Sequence, residues 1–197
     1  MTLSIVGSGN IGSALARHFA RKSLTVSIAN TRGISALAPL TAELGTSVKA
    51  VGLDEAFQAD TVILALPYTA IPELADKTAW AGRIVIDATN AIDKPDFTPT
   101  DLGGKLSSEV VAETLEGSRV VKAFNTLPAA ILSQDPEEEV GARRVIFLSG
   151  DDPAARKSVA AVVESLGFAP IDLGSLSEGR PQQFGGPLVL RNLLLRD

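Results

Sequence analysis

Three glycines in the run Gly7-Ser8-Gly9-Asn10-Ile11-Gly12 carry the first chemistry this chain can perform. Backbone N–H groups that are not hidden behind side chains can cradle a phosphate. The run follows a short apolar segment, Leu3-Ser4-Ile5-Val6, and leads into a helical pattern through Ser13 to Ala20. The glycine spacing alone is common. Strand, glycine turn and helix together describe the opening of a dinucleotide-binding fold. Gly7 permits the tight turn, Gly9 lets a pyrophosphate approach the backbone, and Gly12 lets helix and strand pack closely.

The end of the next apolar segment reads Ala29-Asn30-Thr31-Arg32-Gly33. Folds of this kind that bind NAD place an Asp or Glu about 20 residues beyond the glycines, to accept from the ribose 2′-OH. No carboxylate stands here. Arg32 can pair with a 2′-phosphate instead and Thr31 can donate to it, so NADP(H) is the expected cofactor, with Asn30 beside it. The plainer alternative is a polar turn carrying an exposed arginine. Two further loops leave strand ends, where ligands bind in open α/β sheets. Leu66-Pro67-Tyr68-Thr69-Ala70 is expected beside the adenosine half or its ribose, and Asp87-Ala88-Thr89-Asn90 near the nicotinamide. For Tyr68 and Asn90, direct contact and loop packing stand as equal readings, and Asp87 can be read as simply finishing a strand.

The elements that would position these residues alternate. Apolar, β-branched runs at 24–29, 48–51, 61–66, 83–87, 119–124, 145–148 and 168–173 read as strands. Between them lie helical stretches at 34–44, bent or shortened by Pro39, at 71–77, at 107–115 closed by Gly117, and one opened by Asp152-Pro153 and closed by Gly167. The Pro-, Gly- and Asp-rich stretch 91–104 reads as a loop, and the acidic run 135–139 as a solvated one. This pattern predicts an α/β, Rossmann-type doubly wound sheet, mostly parallel, with right-handed crossovers. Residues 1–130 would form the nucleotide-binding part. Residues 131–197 would be a small C-terminal α/β extension, or one continuous body with it, completing the acceptor pocket and offering a homodimer interface. The leucines at 188–195 read as such an interface or as a last helix docked onto the sheet.

Composition narrows the function classes. The 197 residues carry a net charge of -5, are 45% hydrophobic and 21% charged, and include no cysteine and one histidine. No basic footprint suggests nucleic acid. No apolar run reaches the ~20 residues that a membrane helix needs, and no leader pattern is evident, so a cytoplasmic location is expected. Without cysteine there is no disulfide, thiolate metal site or cysteine nucleophile. The single histidine, His18, reads as a surface side chain of the first helix. No residue stands out as a general base, so a bound cofactor must carry the chemistry and no catalytic side chain is expected.

The quoted glycine turn, Asn30-Thr31-Arg32, Leu66-Pro67, Asp87-Ala88-Thr89-Asn90 and above all Val121-Lys122-Ala123-Phe124-Asn125-Thr126-Leu127 resemble the NADPH-dependent reductases of the deazaflavin coenzyme F-420. The same domain occurs in the cytosolic portion of the STEAP-type metalloreductases. Arg143 to Asp152 also looks like the corresponding strand of that family. The resemblance implies hydride transfer between NADP(H) and a small-molecule ring acceptor held beside the nicotinamide. It implies that Asn125 and Leu127 border the pocket, Asn125 touching the cofactor as well. Phe184-Gly185-Gly186-Pro187 would border it too, or merely join the last element. The acceptor site has no signature of its own, so coenzyme F-420, FMN or FAD, or an iron complex all fit.

β-Hydroxyacid dehydrogenases and pyrroline-carboxylate reductases begin similarly, but they add a long helical domain for which the chain after Asn125 is too short. A non-catalytic NADPH-binding sensor is the other reading.

Overall fold

A computed structural model describes residues 2–137 and 141–196. Among them the chain runs β1 (Leu3–Val6), α1 (Asn10–Arg21), β2 (Val26–Ala29), α2 (Ala38–Leu44), β3 (Val48–Ala50), α3 (Leu53–Ala56), β4 (Thr61–Leu64), β5 (Ile84–Asp87), β6 (Ile92–Asp93) and β7 (Thr98–Pro99). It continues through α4 (Ser107–Thr114), β8 (Arg119–Ala123), α5 (Ala129–Leu132), β9 (Ala142–Gly150), α6 (Pro153–Ser165), β10 (Ala169–Asp172) and β11 (Leu194–Arg196).

Strands that are apolar on both faces need cover on both. Ile5, Ile28, Ile63 and Ile86 face one buried cluster, where α1, α5 and α6 contribute Leu15, Phe19, Leu132 and Val159. Val6, Ala29, Leu64 and Val85 face the other, closed by Phe57, Ile71, Trp80, Val111 and Leu115. One sheet takes the order β10-β9-β8-β5-β4-β1-β2-β3, with β11 paired to β9. β1 to β5 and β8 are mutually parallel, while β9 runs antiparallel to β8. This is the Rossmann-type doubly wound fold. Register aligns Val6 with Leu64, Leu64 with Asp87, and Asp87 with Lys122. The loops that follow these residues therefore open side by side at one sheet edge, where the strand order reverses about β1.

Four local expectations are corrected. The stretch read as a helix over 71–77 is a 3₁₀ turn, Tyr68–Leu74, because Pro72 cannot donate to a continuing α-helix. Within the predicted loop 91–104, β6 and β7 pair as a small antiparallel hairpin. The apolar tail is no docked helix. β11 instead lies antiparallel to Ala142–Arg144, the part of β9 that its pairing with β8 leaves free. Its leucines, Leu194 and Leu195, stay exposed.

His18 is buried rather than on the surface, since it lies on the inward stripe of α1 with Ala14 and Leu15. Its Nε2–H donates to the Leu132 carbonyl at 2.6 Å, and its ring meets Phe168 edge-on at 4.9 Å. In the acidic run, Asp135 and Glu137 are exposed and Glu137 pairs with Lys22 at 2.9 Å, whereas Glu138 and Glu139 lie outside the described residues. Among the described residues no helix is long and apolar enough to cross a membrane.

Candidate functional site

The opening turn is held by close backbone packing. Gly7 adopts φ 112°, and a Cβ there would lie 2.1 Å from the Ala65 carbonyl oxygen. At Gly12 a Cβ would lie 1.9 Å from the carbonyl oxygen of Gly7. Gly9 differs: nothing lies within 4 Å of the position a Cβ would take, so it borders open space. The first N–H groups of α1, which begins at Asn10, have no partner within the helix and are free for a ligand.

On one side of this turn lies a chamber of about 600 Å³, whose lining includes Gly7, Ser8, Asn30, Thr31, Arg32, Leu66 and Pro67. Asn30 Nδ2 donates to Ser8 Oγ at 2.7 Å, and its Oδ1 accepts from the Arg32 backbone N–H at 2.9 Å. Arg32 Nη2 reaches Ser8 Oγ at 3.4 Å, which brings the guanidinium to the lip of the glycine turn. The carboxylates of this chamber, Asp54 and Glu73, come from α3 and the 3₁₀ turn, not from the end of β2.

A second chamber of about 760 Å³ shares Gly9, Ala65, Leu66 and Pro67 with the first. Asn10, Ile11, Tyr68, Ala88, Thr89 and Asn90 line it, with Ile92, Asp93 and Lys94 from the β6–β7 hairpin. Tyr68, expected beside the adenosine half, thus stands in this farther chamber, where the chain has turned past Pro67. Its phenol oxygen is buried and has no hydrogen-bond partner among the described residues. Burial, and secondarily the Asp87 charge, push its pKa up.

Beneath the chamber lies a group that the sequence reading missed. Lys122 and Asp87 are fully buried, and Lys122 Nζ donates to Asp87 Oδ2 at 2.9 Å. It also donates to the Thr89 carbonyl at 2.6 Å and to Ser107 Oγ at 3.3 Å. The other carboxylate oxygen accepts from the Thr89 N–H at 2.9 Å and its hydroxyl at 2.7 Å. Each buried charge is thereby answered, as a dry site demands. The signal was available: a lysine inside the apolar run Val120-Val121-Lys122-Ala123-Phe124, and a carboxylate ending another apolar strand. Asp87 therefore does more than finish a strand, because it fixes the Ala88-Thr89-Asn90 loop.

Phe124, which follows β8, takes φ 61°, turning the chain so that Asn125 meets Asn90. Asn125 Nδ2 donates to Asn90 Oδ1 at 3.1 Å and to the Gln182 carbonyl at 2.7 Å, while Asn90 Nδ2 donates to the Asn125 carbonyl at 2.9 Å. Asn125 is thus buried and connected to the cleft through Asn90, and Leu127 lies in the core cluster rather than on a chamber wall. In the tail, Phe184 lines a third chamber of about 260 Å³, and Gly185 backs onto Pro99.

Residues 2–91 match the family model described as NADP oxidoreductase, coenzyme F420-dependent. The chain is 27% identical to the metalloreductase STEAP3 of Rattus norvegicus over 180 residues, which is 90% of this chain and 35% of that protein. It therefore spans about a third of the length of that curated relative. Among solved structures, a hypothetical protein of Sinorhizobium meliloti is 53% identical with a TM-score of 0.95, over 99% of this chain and 96% of that one. A proposed F420-dependent NADP reductase from Arthrobacter sp. FB24 is 29% identical with a TM-score of 0.73, over 91% and 87% of the two chains. Over residues 2–91, just under half of its length, this chain thus resembles the coenzyme F420-dependent NADP oxidoreductases.

Proposed function

We propose that the chain binds NADP(H) across its glycine turn and passes a hydride between that nucleotide and a deazaflavin or flavin ring. The observation that carries this reading is Arg32 at the lip of the turn, its guanidinium 3.4 Å from Ser8 Oγ and its backbone N–H bonded to Asn30, where β2 ends without a carboxylate. Open space at Gly9 and the free N–H groups of the first turn of α1 suit a pyrophosphate. The nicotinamide, when bound, supplies or receives the hydride at its C4.

The chain's own contribution is placement. The Tyr68 ring and the Ala88-Thr89-Asn90 loop wall the second chamber, and the buried Asp87–Lys122 pair keeps that loop in one conformation. Asn90 presents an amide whose orientation Asn125 fixes. Holding two rings in reacting geometry removes a large entropic part of the barrier without a titrating side chain. The size of the second chamber supports the reading, since it lies well within the ~300–1,000 Å³ typical of ligand sites. The family description and the Arthrobacter relative support a deazaflavin acceptor; the STEAP3 relative leaves a metal-reducing role for a larger assembly.

Calorimetric titration with NADPH and NADH, followed by NADPH oxidation assays with a deazaflavin, FMN or FAD, tests this. Saturable binding favouring NADPH, with turnover on one ring acceptor, is expected. Tight NADPH binding with no turnover on any of them would point to a sensor and overturn the oxidoreductase reading.

A further inference from the structure

We propose that the third, smaller chamber receives a phosphate-bearing side arm of the ring acceptor, with Arg180 as its principal anion contact and Lys105 as the second. The inference rests on the hydride-transfer reading above. At about 260 Å³ the chamber lies below the ~300–1,000 Å³ usual for a whole ligand, so it suits an arm rather than a ring system. It adjoins the second chamber across the β6–β7 hairpin. Ile92 and Asp93 line one, and Pro99 and Thr100 the other, with Ala91 following Asn90 directly.

The charge of this chamber has one sign. Its charged lining residues are Lys105 and Arg180. The hairpin carboxylate of Asp93 accepts from Thr100 Oγ1 at 2.6 Å and lines the other chamber, and Glu109 is occupied in capping the Leu106 N–H at 2.8 Å. Lys105 pairs with Glu113 at 2.8 Å, but both side chains are more than half exposed, and such a pairing holds little net strength. The exposed guanidinium of Arg180 has no hydrogen-bond or ion-pair partner among the described residues.

The arginine nevertheless stands on a firm mount. It opens a 3₁₀ turn, Arg180–Gln182, whose Gln182 is fully buried and donates to Ser149 Oγ at 2.6 Å. The carbonyl of Gln182 accepts from Asn125, which in turn holds Asn90 in the second chamber. Gln183 Oε1 accepts from Ser107 Oγ at 2.6 Å, tying the segment next to Phe184 to the start of α4. A ring in the second chamber and an anion on Arg180 would thus be registered through one hydrogen-bonded chain.

The test is flavin fluorescence titration of the full chain saturated with NADP+, using FMN and riboflavin, which differ by one phosphate. FMN should bind about tenfold more tightly, the weight of roughly one charged hydrogen bond. Arg180→Ala should bring FMN to the affinity of riboflavin while leaving riboflavin and NADP+ binding unchanged. Arg180→Lys should retain part of the preference, and added salt should narrow it. Equal binding of the two flavins by the native chain, a preference that survives Arg180→Ala, or no flavin binding at all overturns the proposal. A normal NADP+ titration in those cases leaves the cofactor reading standing; if NADP+ fails to bind, both fall.

Discussion

The two ends of the cleft are built by different means. At the glycine-turn end, Ser8, Asn30 and Arg32 come from neighbouring β–α units and meet through partly exposed contacts of 2.7, 2.9 and 3.4 Å. At the other end, Asp87, Thr89, Ser107 and Lys122 come from three separated stretches of chain and meet out of water. An end that recognises a phosphate can remain wet, because backbone N–H groups and an exposed guanidinium suffice. An end that walls a ring must be shaped, and the charges buried beneath it, Asp87 and Lys122, are fully answered. The first should tolerate substitution and lose affinity; the second should lose stability.

The largest effect expected from this contrast is at Lys122. Lys122→Met leaves the Asp87 carboxylate buried without its cation, and breaking such a pair costs about 3–5 kcal/mol. Urea unfolding should show a much lower midpoint at unchanged slope. Adding Asp87→Asn to that variant should recover much of the loss, because the uncompensated charge is gone. A single variant within about 1 kcal/mol of the native chain would show that the two ends do not differ in the way argued.

The glycines divide along the same line within a single motif. Gly12→Ala would force a Cβ against the Gly7 carbonyl, so a loss of about 1–3 kcal/mol is expected. Gly9→Ala meets no atom of the protein and should leave the unfolding midpoint alone, yet weaken NADPH on the order of tenfold or more, about 1.4 kcal/mol. Comparable stability losses at both positions would mean that Gly9 also serves packing.

Legibility followed this division. The strand–turn–helix opening, Arg32 and the alternation of strands with helices are local patterns, and the sheet realises them. What escaped was set by distant partners. Lys122 stood within the quoted motif, yet its role depends on Asp87, the residue beside it in the next strand. The tail was ambiguous because Leu193-Leu194-Leu195 suits a helix or a strand, and the unpaired edge of β9 decides between them. The chamber that Tyr68 lines, shared with Ala88, Thr89 and Asn90, was not legible because the direction of the chain after Pro67 is set by the 3₁₀ turn.

Arg32→Ala probes the wet end directly. Losing a charged hydrogen bond of roughly 1.5–3 kcal/mol should weaken NADPH about ten- to a hundredfold by calorimetry. NADH affinity and the unfolding midpoint should hardly move, since the side chain is exposed. Equal loss for both nucleotides would show that Arg32 does not read the phosphate.

The smallest effect tests whether even the glycine-turn half depends on a distant contact. His18 ties α1 to α5 through the Leu132 carbonyl, and its Nδ1 lies 3.3 Å from Arg21 Nη1. With Nε2 donating, the neutral ring leaves Nδ1 as an acceptor for Arg21, whereas a protonated ring would set two donors against each other. Burial, foremost, lowers the His18 pKa below its ordinary value of 6.5, outweighing the opposing Leu132 bond. Between the folded and unfolded pKa values the unfolded chain binds more protons, so stability must rise with pH. The contribution is complete above about 6.5 and drains away as pH falls toward the lower folded value. Urea midpoints measured from pH 7.5 down to 5 should fall more steeply for the native chain than for His18→Gln, which keeps a donor but does not titrate. Parallel curves would show that the histidine has the same pKa folded and unfolded, so that its burial against Leu132 carries no pH-dependent stability.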